Sequence, residues 1–300
     1  MGALFLYNPM SGKGKVGRKL NLIEKSLKQC FGEVELYQTQ SAEDLEEKIR
    51  TQAERYDAVI FSGGDGTFNH VLTALEGRDV QLGYIPSGTI NDVARSLKIP
   101  RSIKGALKVI TKGHSKRLDC MKVGNRYAMY IVAAGAFTEA TYYTPQKDKR
   151  RFGALAYAFE GVRHHLKLDV FPIEVTSGET VIKTPAVLVL VMNGKSVAGF
   201  PINKQGSMKD GVLELALIKQ VMRPNLLQRI GKLFSVASLF VFGCRIRKHD
   251  VIYLKGERFA IKTERHVVWD FDGERGFNGN TEICVCKGAV RLFVPKNKKI

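Results

Sequence analysis

The fold of this chain is decided by the stretch Ser62-Gly63-Gly64-Asp65-Gly66-Thr67-Phe68-Asn69. It follows residues 56–61, whose apolar character is typical of a buried parallel strand, and it precedes residues 69–75, which read as a helix. Glycines at a strand-to-helix turn let the backbone approach a ligand, and the free N–H groups of a helix start bind anions. A bare carboxylate would repel phosphate there, so Asp65 predicts a metal ion or a network ordered around one. The alternative is a tight glycine turn capped by Asp65.

Residues 1–120 alternate short apolar runs with helical patterns, which predicts a doubly wound α/β domain. The predicted strands are residues 3–8, 34–38, 58–62 and 82–85. The predicted helices are residues 18–29, 42–55, 69–75 and 103–112. Ser41 is expected to cap the second helix, with Asp44 in its acidic first turn. Because ligands bind at the carboxyl ends of strands in such sheets, the loops after the strands are the candidate site.

Residues 121–289 have a different character, with short strand patterns separated by turn residues. This spacing predicts a β-rich second domain, an antiparallel sandwich or barrel. The predicted strands are residues 127–133, 173–176, 180–191, 212–218, 251–254, 259–263, 267–271 and 282–286.

The composition is that of a folded protein with a strong positive charge. Lys and Arg number 47 against 29 Asp and Glu, a formal net charge of +18, and such an excess favours nucleotides, nucleic acid or an anionic membrane surface. Five cysteines without metal-site spacing argue for a reducing compartment. The start of the chain lacks the features of a signal peptide. The expected location is the cytoplasm, with peripheral association at a membrane.

The loop after the first strand, residues 8–15, is rich in glycine and basic residues. Gly12, Gly14 and Gly17 match G-x-G-x-x-G in form, but the acidic residue that a dinucleotide site needs at the end of the second strand is missing. Phosphate contact through Ser11, Lys13 and backbone N–H groups is the favoured interpretation.

The loop after the fourth predicted strand repeats the pattern of the first stretch. Gly88-Thr89 opens it, and Asn91, Asp92 and Arg95 follow. Thr89 or Asn91 could be the N-cap of a short helix. Two Gly-Thr loops with a nearby acid, at neighbouring strand ends, are harder to explain by capping alone.

Together these motifs resemble the catalytic domain of the diacylglycerol kinase family, and above all its soluble bacterial lipid kinases. The resemblance is carried by an ordered set of motifs along the chain: Asn8-Pro9 with Ser11-Gly12, Gly63-Gly64-Asp65-Gly66-Thr67, Gly88-Thr89 with Asn91-Asp92, and Asp272-Gly273-Glu274. It implies an N-terminal, NAD-kinase-like α/β domain and a C-terminal all-β sandwich domain, with ATP in the cleft between them. It also implies that residues 290–300 return to the first domain and that residues 121–289 hold the lipid substrate.

The resemblance assigns roles to residues of the first domain. Asp65 and Asp92 are similar to family acids that order the catalytic metal ion and the phosphates, and Arg95 lies beside them. The implied ATP-binding residues are Asn8, Ser11, Gly12, Lys13, Thr39, Gly63, Gly64, Asp65, Gly66, Thr67, Asn69, Thr89 and Arg95.

The second domain carries a further acidic motif. If residues 267–274 continue as a strand, Asp270, Asp272 and Glu274 share one face, where like charges repel unless cations lie nearby. The resemblance implies that Asp272 is the base that accepts the proton of the lipid hydroxyl, with Glu274 assisting it or binding metal.

A structural Mg²⁺ site is also implied by the resemblance. Its ligands would be Asp210 and main-chain oxygens of Ser207 and Val212. The alternative is that Asp210-Gly211 is simply a turn, because this dipeptide is common in turns.

A kinase that acts on a membrane lipid must contact the bilayer. Two stretches mix basic and apolar residues, 147–159 and 223–248, and either could lie in an anionic interface. The alternative for each is a helix with a solvated basic face and a buried stripe. An edge strand in either domain could also pair across a homodimer.

Three functions compete. The favoured one is an ATP- and Mg²⁺-dependent lipid kinase that phosphorylates a hydroxyl, with diacylglycerol as the leading substrate. The first alternative is an NAD kinase, since NAD kinases share the Gly-Gly-Asp-Gly-Thr loop and a related fold. The second is a non-enzymatic, basic lipid- or nucleic-acid-binding protein. Nucleic acid is not expected as a partner, because no aromatic cluster suited to base stacking lies on a basic strand.

Overall fold

The structure is a computed structural model that describes residues 2–135, 169–197, 200–225, 227–229, 231–232, 235–236, 238, 243, 250–264 and 266–296. The chain divides into two compact units. Unit 1 comprises Met1–Cys120, Asn125–Met129 and Cys286–Ile300, and unit 2 comprises Met121–Gly124 and Tyr130–Val285. Among the described residues, no helix combines the length and the apolar character that a membrane span requires.

Unit 1 is built on a parallel sheet whose strands follow the order β15–β4–β3–β1–β2. The paired strands are β1 (Gly2–Tyr7), β2 (Glu33–Gln38), β3 (Ala58–Gly63), β4 (Gln81–Pro86) and the last part of β15 (Thr281–Val294). Every residue of β1, β3 and β4 is buried, as expected of strands in a covered parallel sheet. Two further strands, β5 (His114–Val123) and β6 (Arg126–Ala128), pair with each other, and β5 also pairs with β15.

The helices of unit 1 connect these strands, and a 3₁₀ turn spans Ala53–Arg55. They are α1 (Ser11–Arg18), α2 (Leu20–Phe31), α3 (Ala42–Gln52), α4 (Asp65–Leu75), α5 (Asp92–Ser96) and α6 (Ile103–Lys112). The predicted cap of α3 is confirmed, because the Ser41 hydroxyl accepts a hydrogen bond from the Asp44 N–H. The predicted start of α4 at residue 69 is wrong. The helix begins at Asp65, inside the glycine-rich stretch, so its free N–H groups lie at that loop.

Unit 2 is an antiparallel β structure in which β14–β13–β7–β9–β8–β12–β15 pair in that order, with β10 between β9 and β11. Its strands are β7 (Ile131–Gly135), β8 (Phe171–Ser177), β9 (Thr180–Met192), β10 (Leu213–Lys219), β11 (Val251–Gly256), β12 (Arg258–Thr263), β13 (Val268–Phe271), β14 (Glu274–Asn278) and the first part of β15. The prediction of an antiparallel β-rich region is confirmed.

One strand prediction needs correction, and two strands were not predicted. The predicted strand at residues 127–133 is two strands, β6 and β7, because the chain bends at Met129 and Tyr130. The bend is fixed by Asp272, whose Oδ1 accepts hydrogen bonds from the N–H groups of Tyr130 and Ile131. The prediction missed β5 and β14.

Candidate functional site

Four predicted site loops of unit 1 lie at one edge of its sheet, because its strands are parallel and their carboxyl ends meet there. Asn8 follows β1, Thr39 follows β2, Gly64 follows β3 and Ser87 follows β4. Pairing of Gly63 with Pro86 aligns the ends of the last two strands. The N–H of Thr39 donates to Tyr7 O at 2.9 Å, which joins the ends of β1 and β2.

Asp65 links the two Gly-Thr loops. Its Oδ2 accepts a hydrogen bond from the Asp92 N–H at 3.0 Å, and its Oδ1 accepts one from the Val93 N–H at 3.1 Å. These are N–H groups of the first turn of α5, so Asp65 supplies the N-terminal cap for which Thr89 and Asn91 were the sequence candidates. Burial raises the pKa of the Asp65 carboxyl above its ordinary value, and the N–H groups of residues 91–93 act in the opposite direction. This geometry supports a role in ordering the loops.

Asn91 closes the second Gly-Thr loop, which follows β4, on itself. It occupies the N-cap position of α5, but its side chain turns to Gly88, where Oδ1 accepts from the N–H at 2.9 Å and Nδ2 donates to the carbonyl at 2.8 Å. The Tyr84 hydroxyl donates to Gly63 O at 3.2 Å and also lies 3.3 Å from Asn91 Oδ1. The side chains of Tyr84 and Asn91 therefore join the end of β3 to the loop after β4.

The glycines of the two loops are required by close packing. A Cβ on Gly63 would lie 2.3 Å from the Thr67 side chain, so Thr67 packs directly on the end of β3. A Cβ on Gly88 would lie 2.5 Å from the Cα of Gly64. The two loops thus touch backbone to backbone, which places the loop after β4 directly beside the N-terminus of α4.

The loop after β1 has an unusual backbone. Gly12, Lys13 and Gly14 have φ values of 61°, 63° and 72°, a left-handed turn inside α1. Asn8 Oδ1 accepts a hydrogen bond from the Met10 N–H, and the Arg18 guanidinium donates to Lys13 O at 3.2 Å. Lys13 is exposed and Ser11 is half-buried, so both can reach a phosphate in solvent.

The remaining predicted nucleotide residues differ in exposure. Thr39 and Asn69 are buried, Gly66 is half-buried, and Thr89 and Arg95 are exposed. Asp92 is fully buried at the start of α5. Arg101 donates to Thr89 O at 2.7 Å and adds a cation to the second loop that the sequence analysis did not single out.

Asp272 lies in unit 2 at a hairpin turn. The strand β13 ends at Phe271, Asp272-Gly273 form the turn, and β14 begins at Glu274. The expectation that Asp270, Asp272 and Glu274 share one face of a single strand is therefore wrong, since the chain reverses between them. Asp272 and Asp270 are 3% and 4% exposed, whereas Glu274 is exposed.

The turn holds the Asp272 carboxylate firmly. Oδ1 accepts from Tyr130 N–H at 3.0 Å and from Ile131 N–H at 2.9 Å, and the Asp272 N–H donates to Ile131 O at 3.0 Å. Asp270 Oδ1 accepts from the Gly273 N–H at 2.8 Å and so closes the turn. Asp272 is fixed in place by backbone groups of β7 and of the bend before it.

Backbone strain marks three residues of these loops. Lys13, Asn91 and Asp272 have positive φ although they are not glycine. Such conformations persist where the surrounding structure determines them, and they are frequent at functional sites. Of the three, Asn91 was named in the sequence analysis as a capping candidate and as part of the motif that carries the resemblance, without a role in the site.

The implied structural Mg²⁺ site lies on the approach to β10. Asp210 is exposed, and its Oδ1 accepts a hydrogen bond from the Val212 N–H at 3.3 Å. One carboxylate and two main-chain carbonyls are oxygen donors of the kind that Mg²⁺ takes together with water. The donor chemistry of Ser207, Asp210 and Val212 therefore fits Mg²⁺. In the part of the chain that the structure describes, no group of three or more His, Cys, Asp or Glu residues is placed to hold a metal ion.

Two residues that shape the site, Tyr84 and Asn91, were given no role in it by the sequence analysis. Tyr84 is buried near the end of β4, and burial raises its pKa well above the ordinary value. A tyrosine in a short buried strand, just before the Gly88-Thr89 loop, was the signal for it. Asn91 carried a signal too, because Asn readily adopts positive φ.

The two stretches expected to contact a membrane differ in how much of each the structure describes. Residues 147–159 lie outside the described residues, and residues 223–248 are described only in part.

Replacing Asp65 with Ala is expected to lower the free energy of unfolding by about 3 kcal/mol, because two buried N–H donors lose their acceptor. Asp65→Asn keeps one acceptor oxygen and is expected to cost about 1 kcal/mol. Urea unfolding of both variants measures these differences. An equal effect of Asn and Ala would contradict the capping role.

A comparison of the parent with Asp65→Asn tests the raised pKa of the Asp65 carboxyl. A carboxyl whose folded-state pKa is raised stabilises the fold while protonated, and this contribution is lost as pH rises through the folded pKa. The stability advantage of the parent over Asp65→Asn is therefore expected to be largest at acidic pH and to shrink toward neutral pH. A difference that grows with pH would exclude this behaviour.

Comparison with known proteins places the chain beside lipid kinases. The model of the diacylglycerol kinase catalytic domain matches residues 2–123, and the model of the YegS C-terminal NAD kinase beta sandwich-like domain matches residues 130–294. The chain is 32% identical over 299 residues to a diacylglycerol kinase of Staphylococcus aureus, covering 98% of this chain and 93% of the relative.

Solved structures share the fold. A Bacillus anthracis str. Sterne structure that carries a provisional diacylglycerol kinase name superposes with a TM-score of 0.84 at 25% identity, covering 98% of this chain and 95% of that one. The crystal structure of a diacylglycerol kinase from the same organism superposes with a TM-score of 0.76 at 23% identity, covering 98% and 96% of the two chains.

Proposed function

Because the chain belongs to the diacylglycerol kinase family and is a lipid kinase, we propose that it transfers the γ-phosphoryl group of ATP to the free hydroxyl of diacylglycerol, with Mg²⁺ as the metal ion. In this reaction the hydroxyl oxygen forms a bond to the γ-phosphorus and the bond from that phosphorus to the bridging oxygen breaks. ADP leaves with the electron pair, and the hydroxyl proton passes to a base.

The observation that carries the proposal is the bridge between the two Gly-Thr loops. Asp65 caps α5 while Gly64 and Gly88 bring the loop backbones into contact. Helix N-termini and glycine loops at the carboxyl ends of parallel strands are the structures that bind phosphate groups. We therefore assign ATP phosphates to this edge of unit 1.

Two cations from elements at this edge of unit 1 supply charge for the phosphates. Lys13 is exposed in the left-handed turn after β1, and Arg95 is exposed on α5. Phosphoryl transfer needs mainly positioning and neutralisation of charge, and these two side chains would provide part of both. When bound, Mg²⁺ adds positive charge at the phosphates, and the oxygen ligands of Ser207, Asp210 and Val212 would hold a structural ion.

Asp272 is the proposed base. Its Oδ1 is held by two N–H groups, so the carboxylate is positioned before the lipid arrives, as a base within reach of its proton must be. Glu274, exposed at the start of β14, is proposed to assist.

The test measures product formation with Mg²⁺-ATP and diacylglycerol in mixed micelles that contain anionic lipid, with NAD as a parallel soluble substrate. Phosphatidic acid is the expected product, and chelation of Mg²⁺ by EDTA is expected to abolish it. Formation of NADP without phosphatidic acid would assign the chain to NAD phosphorylation instead. If neither product forms, diacylglycerol is not the substrate, and other lipid hydroxyls would be screened in the same assay.

A further inference from the structure

Exposed apolar side chains of the described residues concentrate in one short segment. The large hydrophobic residues that are at least half exposed are Met10, Val181, Val221, Met222 and Leu227. Three of them, Val221, Met222 and Leu227, fall within the described residues 221–225 and 227, which we term the apolar loop. Val221 and Met222 are each 50% exposed and Leu227 is 80% exposed. A contiguous exposed apolar patch on a protein marks a contact with a partner or a membrane.

The apolar loop is held in place by hydrogen bonds. The Gln220 side chain is buried, accepts from the Val221 N–H at 2.9 Å and donates to Gln228 O at 3.3 Å. Gln220 N–H also donates to Pro185 O at 3.1 Å, which attaches the start of the loop to β9.

The far end of the loop is closed by a reciprocal cap. Asn225 Oδ1 accepts from the Gln228 N–H at 2.9 Å, and Gln228 Oε1 accepts from the Asn225 N–H at 3.0 Å. The Arg229 N–H donates to Asn225 O at 3.0 Å, and its guanidinium donates to Pro224 O at 3.2 Å. The loop is therefore fixed at both ends, and its apolar side chains are displayed by a built structure.

The chain beside the loop is basic in sequence, while in space Met222 lines an open cleft whose charged residues, Glu174, Lys183, Lys262 and Glu264, balance one another. Residues 219–249 contain seven Lys and Arg residues and no Asp or Glu. Arg223 is exposed between Met222 and Pro224, and among the described residues it forms no ion pair. Lys232 is already paired with Asp250 at 3.2 Å, which fixes the following segment to the start of β11. Exposed apolar side chains with the exposed cation Arg223 among them match an anionic bilayer, with carbon below the headgroups and the cation at their level.

We propose that the apolar loop inserts Val221, Met222 and Leu227 into the surface of an anionic lipid bilayer while Arg223 binds headgroup phosphates. The inference rests on the proposed function, because a kinase for diacylglycerol must reach its substrate at a bilayer. The inference adds to that function the protein surface that contacts the bilayer.

The experiment measures binding of the full chain to sedimenting vesicles of phosphatidylcholine and phosphatidylglycerol, with no ATP or diacylglycerol present. The variant Met222→Ser with Leu227→Ser is expected to bind at least about 100-fold more weakly, since each removes an aliphatic side chain worth roughly a factor of ten. Arg223→Gln is expected to bind about fivefold more weakly, and its deficit should fade at high salt. Pure phosphatidylcholine vesicles should bind the parent less than the mixed vesicles do.

Matched controls separate the loop from general surface changes. Val181→Ser removes a side chain that is 52% exposed on β9, and Lys25→Gln removes an exposed cation from α2. Both are expected to bind vesicles like the parent. Equal losses in Val181→Ser and in the double variant would overturn the assignment to the apolar loop.

Other outcomes are equally decisive. Full vesicle binding by the double variant, or no binding by the parent, would overturn the inference. Sedimentation equilibrium without lipid tests a second copy of this chain as the occupant. A parent dimer that the double variant disrupts would assign the loop to that contact instead.

Phosphorylation of a short-chain diacylglycerol in detergent micelles is measured for every variant. Its absence in the parent would count against the proposed function, whereas its retention in the double variant with lost vesicle binding would support both.

Discussion

Asp272→Asn is expected to lower the kcat of lipid phosphorylation by roughly 10³-fold, within the range that a general base contributes. The fold should survive, because an Asn oxygen can accept the hydrogen bonds of Tyr130 and Ile131 that Asp272 Oδ1 accepts. Asn also tolerates the positive φ of 51° at this position. The free energy of unfolding is therefore expected to stay within about 1 kcal/mol of the parent.

Asp272→Ala is the companion variant. It removes the acceptor of two N–H groups and places Ala at positive φ, so a loss of about 3 kcal/mol in stability is expected beside the loss of activity. Steady-state kinetics with diacylglycerol and urea unfolding of both variants separate the two effects. Glu179→Gln, which removes an exposed acid of the β8–β9 turn, is the control and should leave both quantities unchanged. Near-normal kcat in Asp272→Asn would exclude Asp272 as the base.

Gly88→Ala is expected to destabilise unit 1 by about 3 kcal/mol, as overpacking at a tight contact does. The added Cβ would lie 2.5 Å from Gly64 Cα and 2.7 Å from Asn91 Oδ1. One neighbour is backbone and the other is held by two hydrogen bonds to Gly88 itself, so neither can give way cheaply. The two loops must separate, and kcat/KM for ATP is expected to fall at least about 100-fold because phosphate positioning is lost.

Gly32→Ala is the matched control for this change. Gly32 has φ of 75°, but nothing lies within 4 Å of the added Cβ, so only backbone strain of about 1 kcal/mol is expected. Its activity should be that of the parent. Thermal and urea unfolding with ATP kinetics compare the two variants. A Gly88→Ala protein as stable and active as Gly32→Ala would show that contact between the loops is unnecessary.

Local patterns were sufficient for most elements. Buried parallel strands such as β1 and β3 read as apolar runs because both of their faces are covered, and α6 follows the periodicity of its buried side chains with Ser102 as its cap. The strand β14 escaped because Glu274–Asn278 is mostly polar, and its place is set by pairing with β13.

The turn at Asp272-Gly273 did have a local signal. Asp-Gly between strands is a strong hairpin indicator, but the alternation of acids across it suggested a continuous strand. Pairing of Phe271 with Glu274 decides for the turn. The acids were therefore correctly selected as a motif and wrongly placed on one face.

By itself, the sequence determined the order of the strand-end motifs, the change from α/β to β patterns near residue 120, and the residues that resemble those of lipid kinases. Each of these depends on residues adjacent in the chain. Only the tertiary structure decided that Asp65 caps the helix that begins 27 residues later, that Gly64 packs on Gly88, and that Asp272 holds the start of β7 across 141 residues of chain. The physical reason is that a buried N–H takes whichever acceptor the strand register brings to it. That register is fixed by burial of whole strands and is not encoded near either partner.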